Sequence, residues 1–212
     1  MKAYGQWCSL AKALELVGER WTLLLVRELL QGPKRYSDLL DDVPGISTDV
    51  LAARLRDMEE HGLVAKRVLP APASSRVYEL TELGEGLRVA VTSLSRWGLQ
   101  LLGPLDDDEA FRPHWLAIAL RGLLNRDAAA DVDLDIDFVL DDEVGTVRIR
   151  VEDGALDHVP DPQTEPDVVV RADLGTLALV GSGRRPDPGT FEVEGGRAAM
   201  QTYTALFRPA RA

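Results

Sequence analysis

Apolar residues recur at helical spacing near the start of the chain. Leu10, Ala13, Leu14 and Val17 mark a short amphipathic helix over residues 9–16, which Gly18 interrupts. Trp21, Leu23, Leu24, Leu25, Val26, Leu29 and Leu30 make residues 21–30 an almost wholly apolar helix, and Gly32-Pro33 stops it. A helix apolar on every side forms the buried centre of a small domain. A short helix over 36–40 comes next, then the turn Asp41-Asp42-Val43-Pro44-Gly45. Ser47 is a good N-cap for a longer helix reaching Glu60, which His61-Gly62 closes. On that helix Leu55 and Met58 fall within about 40° of Leu51, at about 100° per residue. Asp49, Ala52, Ala53 and Arg56 lie opposite. An inward apolar stripe with an open face of small and polar residues suits a helix that must approach another surface closely.

Residues 63–69 and 76–80 read as two strands joined by Pro70-Ala71-Pro72-Ala73-Ser74-Ser75, whose prolines and serines suit a hairpin tip. Thr81 then caps one more helix, with Leu83, Leu87, Val91, Leu94, Leu99 and Leu101-Leu102 as a long apolar face. At Gly103-Pro104-Leu105-Asp106-Asp107-Asp108-Glu109 the composition turns acidic, which places a domain boundary there, between residues 1–103 and 104–212. Beyond it, residues 111–124 read as a helix. From 132 to 140 the chain alternates: Val132, Leu134, Ile136 and Phe138 face one way, and Asp131, Asp133, Asp135 and Asp137 face the other. Asp141-Asp142-Glu143 turns the strand back into residues 144–151, where Arg148 and Arg150 alternate with Val147, Ile149 and Val151. That pattern predicts cross-strand ion pairs on a wet face. Strands near 154–159, 167–172 and 191–193, with helices at 174–181 and 196–207, complete an α+β module.

The 212 residues are 45% hydrophobic and 28% charged, the composition of a folded chain. There is no run of about 18 apolar residues to span a membrane. The N-terminus lacks the apolar core of a secretion leader, so a cytoplasmic location with no membrane partner is expected. One cysteine, Cys8, excludes an intrachain disulfide, and the scattered His61, His114 and His158 have no metal-ligand spacing. No nucleophile, zinc-protease, phosphate-loop or dinucleotide motif occurs. Neither a catalytic site, a metal nor a cofactor is expected. The net charge of −11 is unevenly divided: residues 1–100 hold 13 Lys+Arg and 13 Asp+Glu, and residues 101–212 hold 11 and 22. A neutral first half can still track phosphates if its cations cluster on one face, whereas the acidic half should point away from nucleic acid.

The order helix, helix, short helix, turn, longer helix, hairpin is a winged helix-turn-helix, in which the longer helix enters the major groove and the wing lies along the backbone. Three stretches also resemble the HxlR-type bacterial transcription regulators. They are Leu16 to Leu30 continuing through Gly32-Pro33-Lys34-Arg35-Tyr36-Ser37-Asp38-Leu39, then Pro44-Gly45-Ile46-Ser47 with Val50 to Val64, and finally Tyr78-Glu79-Leu80-Thr81-Glu82-Leu83-Gly84. The resemblance covers residues 8–100. It implies a homodimer joined by its terminal helices, with two wings flanking a palindromic operator of double-stranded DNA. Candidate DNA contacts are Lys34, Arg35 and Tyr36 at the short helix, Ser47 and Thr48 at the N-terminus of the longer helix, Arg54 and Arg56 along it, and Ser75 and Arg76 in the wing. Several have a plainer reading beside this one. Ser47 caps its helix in any case, Arg54 can pair with a neighbouring carboxylate, and Arg76 can be solvated charge. Asp49 can accept from a cytosine amine or simply favour the helix dipole.

HxlR-type proteins often carry an N-terminal cysteine, which some members use to sense oxidants or electrophiles, and Cys8 stands at the matching place. A helix N-terminus favours a reactive thiolate, while a buried packing role at a dimer core is the alternative. In the second half, Val147 to Gly154, Pro166 to Asp173 and Val193-Glu194-Gly195-Gly196 resemble the sterol-carrier-protein type of domain. That resemblance implies an apolar tunnel lined by Trp115, Phe138, Val170, Leu177, Tyr203, Leu206 and Phe207, each of which ordinary core packing also explains. Together these observations predict an α+β chain: a winged helix-turn-helix for DNA binding and dimerisation, then a sterol-carrier-like domain for a small apolar effector. The competing expectation is a redox regulator acting through Cys8, its second domain serving only as a dimerisation or partner platform.

Overall fold

A computed structural model describes residues 3–70, 75–106, 108–140 and 144–207. The chain forms two compact units, Met1–Val91 and Thr92–Ala212. Residues 71–74 of the expected hairpin tip at 70–75, and the turn at 141–143, lie outside the described residues.

In the first unit, α1 (Ser9–Val17), α2 (Thr22–Leu29), α3 (Tyr36–Asp42) and α4 (Thr48–Glu60) precede a hairpin of β1 (Val64–Val68) and β2 (Arg76–Leu80). The helical periodicities translate directly into burial. Leu25, Val26, Leu29, Leu39, Leu51 and Leu55 are each at most 1% exposed and pack as one core. Each such side chain contributes roughly 1.5–3 kcal/mol by leaving water. β1 and β2 pair antiparallel from Val64↔Leu80 to Val68↔Arg76. Lys34 extends the hairpin by a one-residue bridge: its N–H donates to the Tyr78 carbonyl at 3.0 Å and its carbonyl accepts from Tyr78 at 2.8 Å. α3 runs two residues past the expected end at Leu40, to Asp42.

The single long helix expected after Thr81 is instead two: α5 (Glu82–Glu85) and α6 (Arg88–Gly98), followed by a 3-10 turn at Leu99–Leu101. Thr81 does cap as expected, its Oγ1 accepting from Gly84 N–H at 3.2 Å while donating to the Gly62 carbonyl at 2.5 Å. The break follows from close approach. A Cβ at Gly84 would collide with the Leu63 carbonyl oxygen and come within 2.9 Å of Leu80 Cδ2. α5 is thus pinned against the base of the hairpin, and the chain turns at Gly86 before a helix resumes.

The second unit holds α7 (Pro113–Arg121) and α8 (Arg126–Ala129), then β3 (Asp133–Val139), β4 (Thr146–Glu152), β5 (Ala155–Val159) and β6 (Val168–Arg171), then α9 (Leu174–Gly181), β7 (Glu192–Gly195) and α10 (Arg197–Leu206). The sheet order is β5-β4-β3-β6-β7, with β3 and β6 parallel and the other pairs antiparallel. Apolar alternation sets the register. Leu134 faces Val151, Ile136 faces Ile149 and Phe138 faces Val147, and all six are buried.

The opposite face is covered in its middle and open at its ends, where Asp133, Thr146 and Glu152 are exposed. Asp135 is 6% and Arg148 4% exposed, because a segment containing Thr164 covers them. Arg148 Nη1 donates to the Thr164 carbonyl at 3.0 Å, and Thr164 Oγ1 donates to Asp135 Oδ2 at 2.9 Å. The expected cross-strand pairs form, with Arg148 beneath this cover and Arg150 at its edge. Arg148 grips Asp137 at 2.5 Å and 3.0 Å, and Arg150 holds both oxygens of Asp135 at 2.8 Å. Among the described residues, no helix is long and apolar enough to cross a membrane.

Candidate functional site

α4 is the element best placed to read another surface. Ser47 Oγ accepts from the Val50 N–H at 3.4 Å, which caps the helix. The turn before it needs Gly45 at φ +82°, where a Cβ would lie 3.5 Å from the Trp21 ring. Tyr36 Oη donates to the Thr48 carbonyl at 2.7 Å and ties the start of α3 to the start of α4. With Leu51, Leu55 and Met58 buried, the helix leaves Thr48, Asp49 and Arg56 exposed.

The expected contact residues differ in how free they are. Arg56 is exposed and makes no hydrogen bond or ion pair with a described residue. Arg76 is likewise exposed, on the wing, and Ser75 beside it is half-buried. Arg35 is exposed at the N-cap of α3, where its N–H donates to Asp38 Oδ2 at 3.0 Å. Arg54 pairs with Asp57 at 3.1 Å along the same helix. Lys34 is turned inward. Its ammonium lies 2.5 Å from Asp42 and 3.9 Å from the fully buried Glu28, which also holds Arg27 at 2.7 Å. A phosphate would have to compete with Asp42 for that charge. Burial lowers the Arg27 pKa, against the opposing pull of Glu28.

Two wing cations were not singled out from the sequence, although Lys66-Arg67 is an adjacent basic pair on β1. Lys66 pairs with Glu59 at 2.6 Å and Arg67 with Glu79 at 2.8 Å, both on the surface. Glu59 holds Lys66 above the ordinary lysine value, against an opposing push from Arg56. The Lys66–Glu59 pair joins the C-terminal end of α4 to β1. Surface pairs of this kind are worth about 0–1 kcal/mol, so they yield readily to a stronger anion.

Cys8 is exposed and is the N-cap residue of α1, its carbonyl accepting from Lys12 N–H at 3.0 Å.

The second unit contains a cavity of about 1220 Å³. Of the residues expected to line a tunnel, Phe138, Leu177, Tyr203 and Phe207 do so. Val170 and Leu206 are fully buried in the core away from it, and Trp115 sits edge-on to His114, with ring centres 6.0 Å apart. The wall also takes Leu116, Leu120, Leu123, Leu124, Val180 and Phe191. Burial pushes the Tyr203 phenol up to about 12, so it stays a protonated donor throughout the neutral range.

Comparison with known proteins divides the chain between residues 106 and 116, C-terminal to the Val91/Thr92 division of the two compact units. Residues 16–106 match the family model described as HxlR-like helix-turn-helix, and residues 116–212 match one described as alkyl sulfatase C-terminal. The HTH-type transcriptional regulator YodB of Bacillus subtilis (strain 168) is 35% identical over 94 residues, which are 44% of this chain and 84% of that protein. An uncharacterized HTH-type transcriptional regulator of Mycobacterium tuberculosis (strain H37Rv), Rv3095, is 40% identical over 94 residues, 44% of this chain and 59% of that protein. Among solved structures, the reduced form of YodB from B. subtilis is 33% identical, covers 48% of this chain and 100% of its own, and has a TM-score of 0.40.

Proposed function

The chain belongs, through residues 16–106, to the HxlR-like helix-turn-helix family, and from that premise we propose that it is a transcription regulator, not an enzyme, that binds a palindromic operator as a homodimer. In this reading residues 1–103 bind DNA and dimerise in the cytoplasm, and residues 104–212 form a sterol-carrier-like domain for a small apolar effector. The observation that carries it is the open face of α4, capped by Ser47 and presenting an unengaged Arg56. An α-helix fits the major groove, and an exposed guanidinium is the commonest reader of guanine there. Arg35, Arg76 and the N-terminus of α4 are the accompanying phosphate contacts, with Tyr36, Thr48, Arg54 and Ser75 at the margin of the same surface. Lys34 contributes only if DNA draws it from Asp42.

Operator sites found by genome-wide footprinting supply the DNA for the test. Arg56→Ala should weaken operator binding about tenfold in a gel-shift titration at fixed salt, the lower end of about 1–3 kcal/mol for a base contact. The thermal midpoint should not move, since Arg56 holds nothing in the fold. Unchanged affinity would remove Arg56 from the interface.

The effector reading draws on the cavity and on the sheet order of the second unit. An effector acts only if it binds the two states of the dimer with different affinity. A second reading rests on the exposed Cys8 at the start of α1. There, oxidation or alkylation of the thiol would control DNA binding, and the second unit would serve as a platform. Diamide should then lower operator affinity in the native protein but not in Cys8→Ser. Equal responses from the two would sink it.

A further inference from the structure

Charge in the second unit is sorted with respect to its cavity. Residues 92–212 carry 12 arginines, no lysine and 22 Asp+Glu. The cavity lining includes four of those arginines, Arg96, Arg126, Arg184 and Arg185, and none of the acids. All four are exposed, so they stand at the mouth, while the wall behind them is largely aliphatic and aromatic. They come from separate places in the chain: α6, α8 and the segment after α9. Among the described residues none pairs with a carboxylate; Arg184 Nε donates only to Ser182 Oγ, at 3.2 Å. Elsewhere in the same unit arginines are spent on acids, as Arg121 is on Asp157 and Arg148 and Arg150 are on Asp135.

Resting on the reading of this cavity as an effector site, we propose that its ligand is an amphiphilic anion. Its apolar chain or ring system would lie against the wall, and its carboxylate, sulfate or phosphate head would be held by Arg96, Arg126, Arg184 and Arg185. Guanidinium forks match such heads in geometry as well as charge. The acidic net charge of the unit does not forbid it. At physiological salt charges are screened within about 8 Å, so the local cluster decides the sign a ligand meets. The cavity is larger than the roughly 300–1,000 Å³ of ordinary small-molecule sites, which suits a long chain better than a compact metabolite. Tyr203 adds a phenolic hydroxyl to the lining.

The test uses the full chain without DNA and three ten-carbon probes: decanoate, decan-1-ol and decyltrimethylammonium, titrated below micelle formation by calorimetry. Decanoate should bind at least tenfold more tightly than the alcohol, and the ammonium most weakly. Shortening the acid to octanoate should weaken it about fifteenfold, at about fourfold per methylene. The double variant Arg184→Ala/Arg185→Ala alters exposed residues outside helix and strand, so it should fold normally. It should lose about tenfold for decanoate and nothing for decanol. Equal binding of acid and alcohol, an equal loss for both in the variant, or no binding of decanoate overturns the proposal. Binding to phosphatidylglycerol vesicles without binding to free decanoate overturns it as well. Operator titrations with and without decanoate then address the other claim separately. An anion that binds with the stated preference but leaves operator affinity unchanged refutes effector control and leaves the head-group assignment standing.

Discussion

Arg148→Ala should lower the thermal midpoint of the second unit by on the order of 15 °C, the largest stability loss expected from any single side chain on the covered face of its sheet. The guanidinium is 3% exposed and reaches Asp137, Asp135 and the carbonyl of Thr164 together. Its removal leaves Asp137 without its cation and Asp135 with Arg150 alone. Removing one partner of a buried pair costs about 3–5 kcal/mol, mostly because the other charge stays buried without compensation. Arg148→Lys should recover only part of the loss, since an ammonium cannot serve a carboxylate fork and a carbonyl at once. Melting followed by calorimetry reads this directly, and a shift under about 3 °C would show that the segment lifts and lets water in.

The same network makes acid the solvent condition to which this unit responds. The Arg150 guanidinium, with Thr164 and Arg148 and against the opposing cost of burial, holds the Asp135 carboxyl below the usual aspartate value. A carboxyl lowered in the folded state binds its proton more readily when unfolded. Its stabilisation is therefore complete above the ordinary value of about 3.9 and fades as pH falls through the lower folded value. The native unit should lose stability below about pH 4 more steeply than Asp135→Asn does.

Much of the architecture was legible because periodicity reports which residues share a face. The stripe Leu51, Leu55, Met58 and the pairs Leu134–Val151, Ile136–Ile149 and Phe138–Val147 are where alternation and the helical wheel put them. Periodicity does not report what arrives to cover a face. The Asp135–Arg148 side of the sheet reads as solvated until Thr164, in a segment without regular pattern, closes over it. Nor does local pattern show close approach: Gly84 and Gly86 weaken a helix between Thr81 and Leu102, but nothing in the sequence shows that Gly84 sits against Leu63. At the interface, the identity of a cation was readable but not its freedom. Lys34 and Arg56 look equivalent in the sequence, yet Asp42 takes the first and leaves the second open. The cavity was half legible for the same reason, since its wall follows from apolar positions while its mouth gathers Arg96, Arg126 and Arg184 from distant stretches.

Disrupting the proposed homodimer should give the largest functional effect. Leu10→Glu with Leu14→Glu should leave the first unit folded and lower operator affinity by about 10²–10⁴-fold. Leu10 and Leu14 lie four residues apart on α1, one turn of the helix, and are 66% and 39% exposed, with Trp7 just before the helix fully exposed. Only Ala11 of this helix is buried and its end packs on the core through Leu16 and Val17, so Leu10 and Leu14 contribute little to their own unit. An apolar patch left in water at a helix face marks a surface that binds something, and a second copy of the same helix fits the proposed homodimer. Two carboxylates on each copy would set like charges against one another across that contact. A monomer keeps one half-site's contacts and loses the gain from linking two, which is why the penalty is counted in powers of ten and not in multiples. Analytical ultracentrifugation should find the variant monomeric at concentrations where the native chain is dimeric, with circular dichroism unchanged. A variant that stays dimeric, or one that is monomeric yet binds the full operator as tightly as before, would remove α1 from the dimer interface or the dimer from the mechanism.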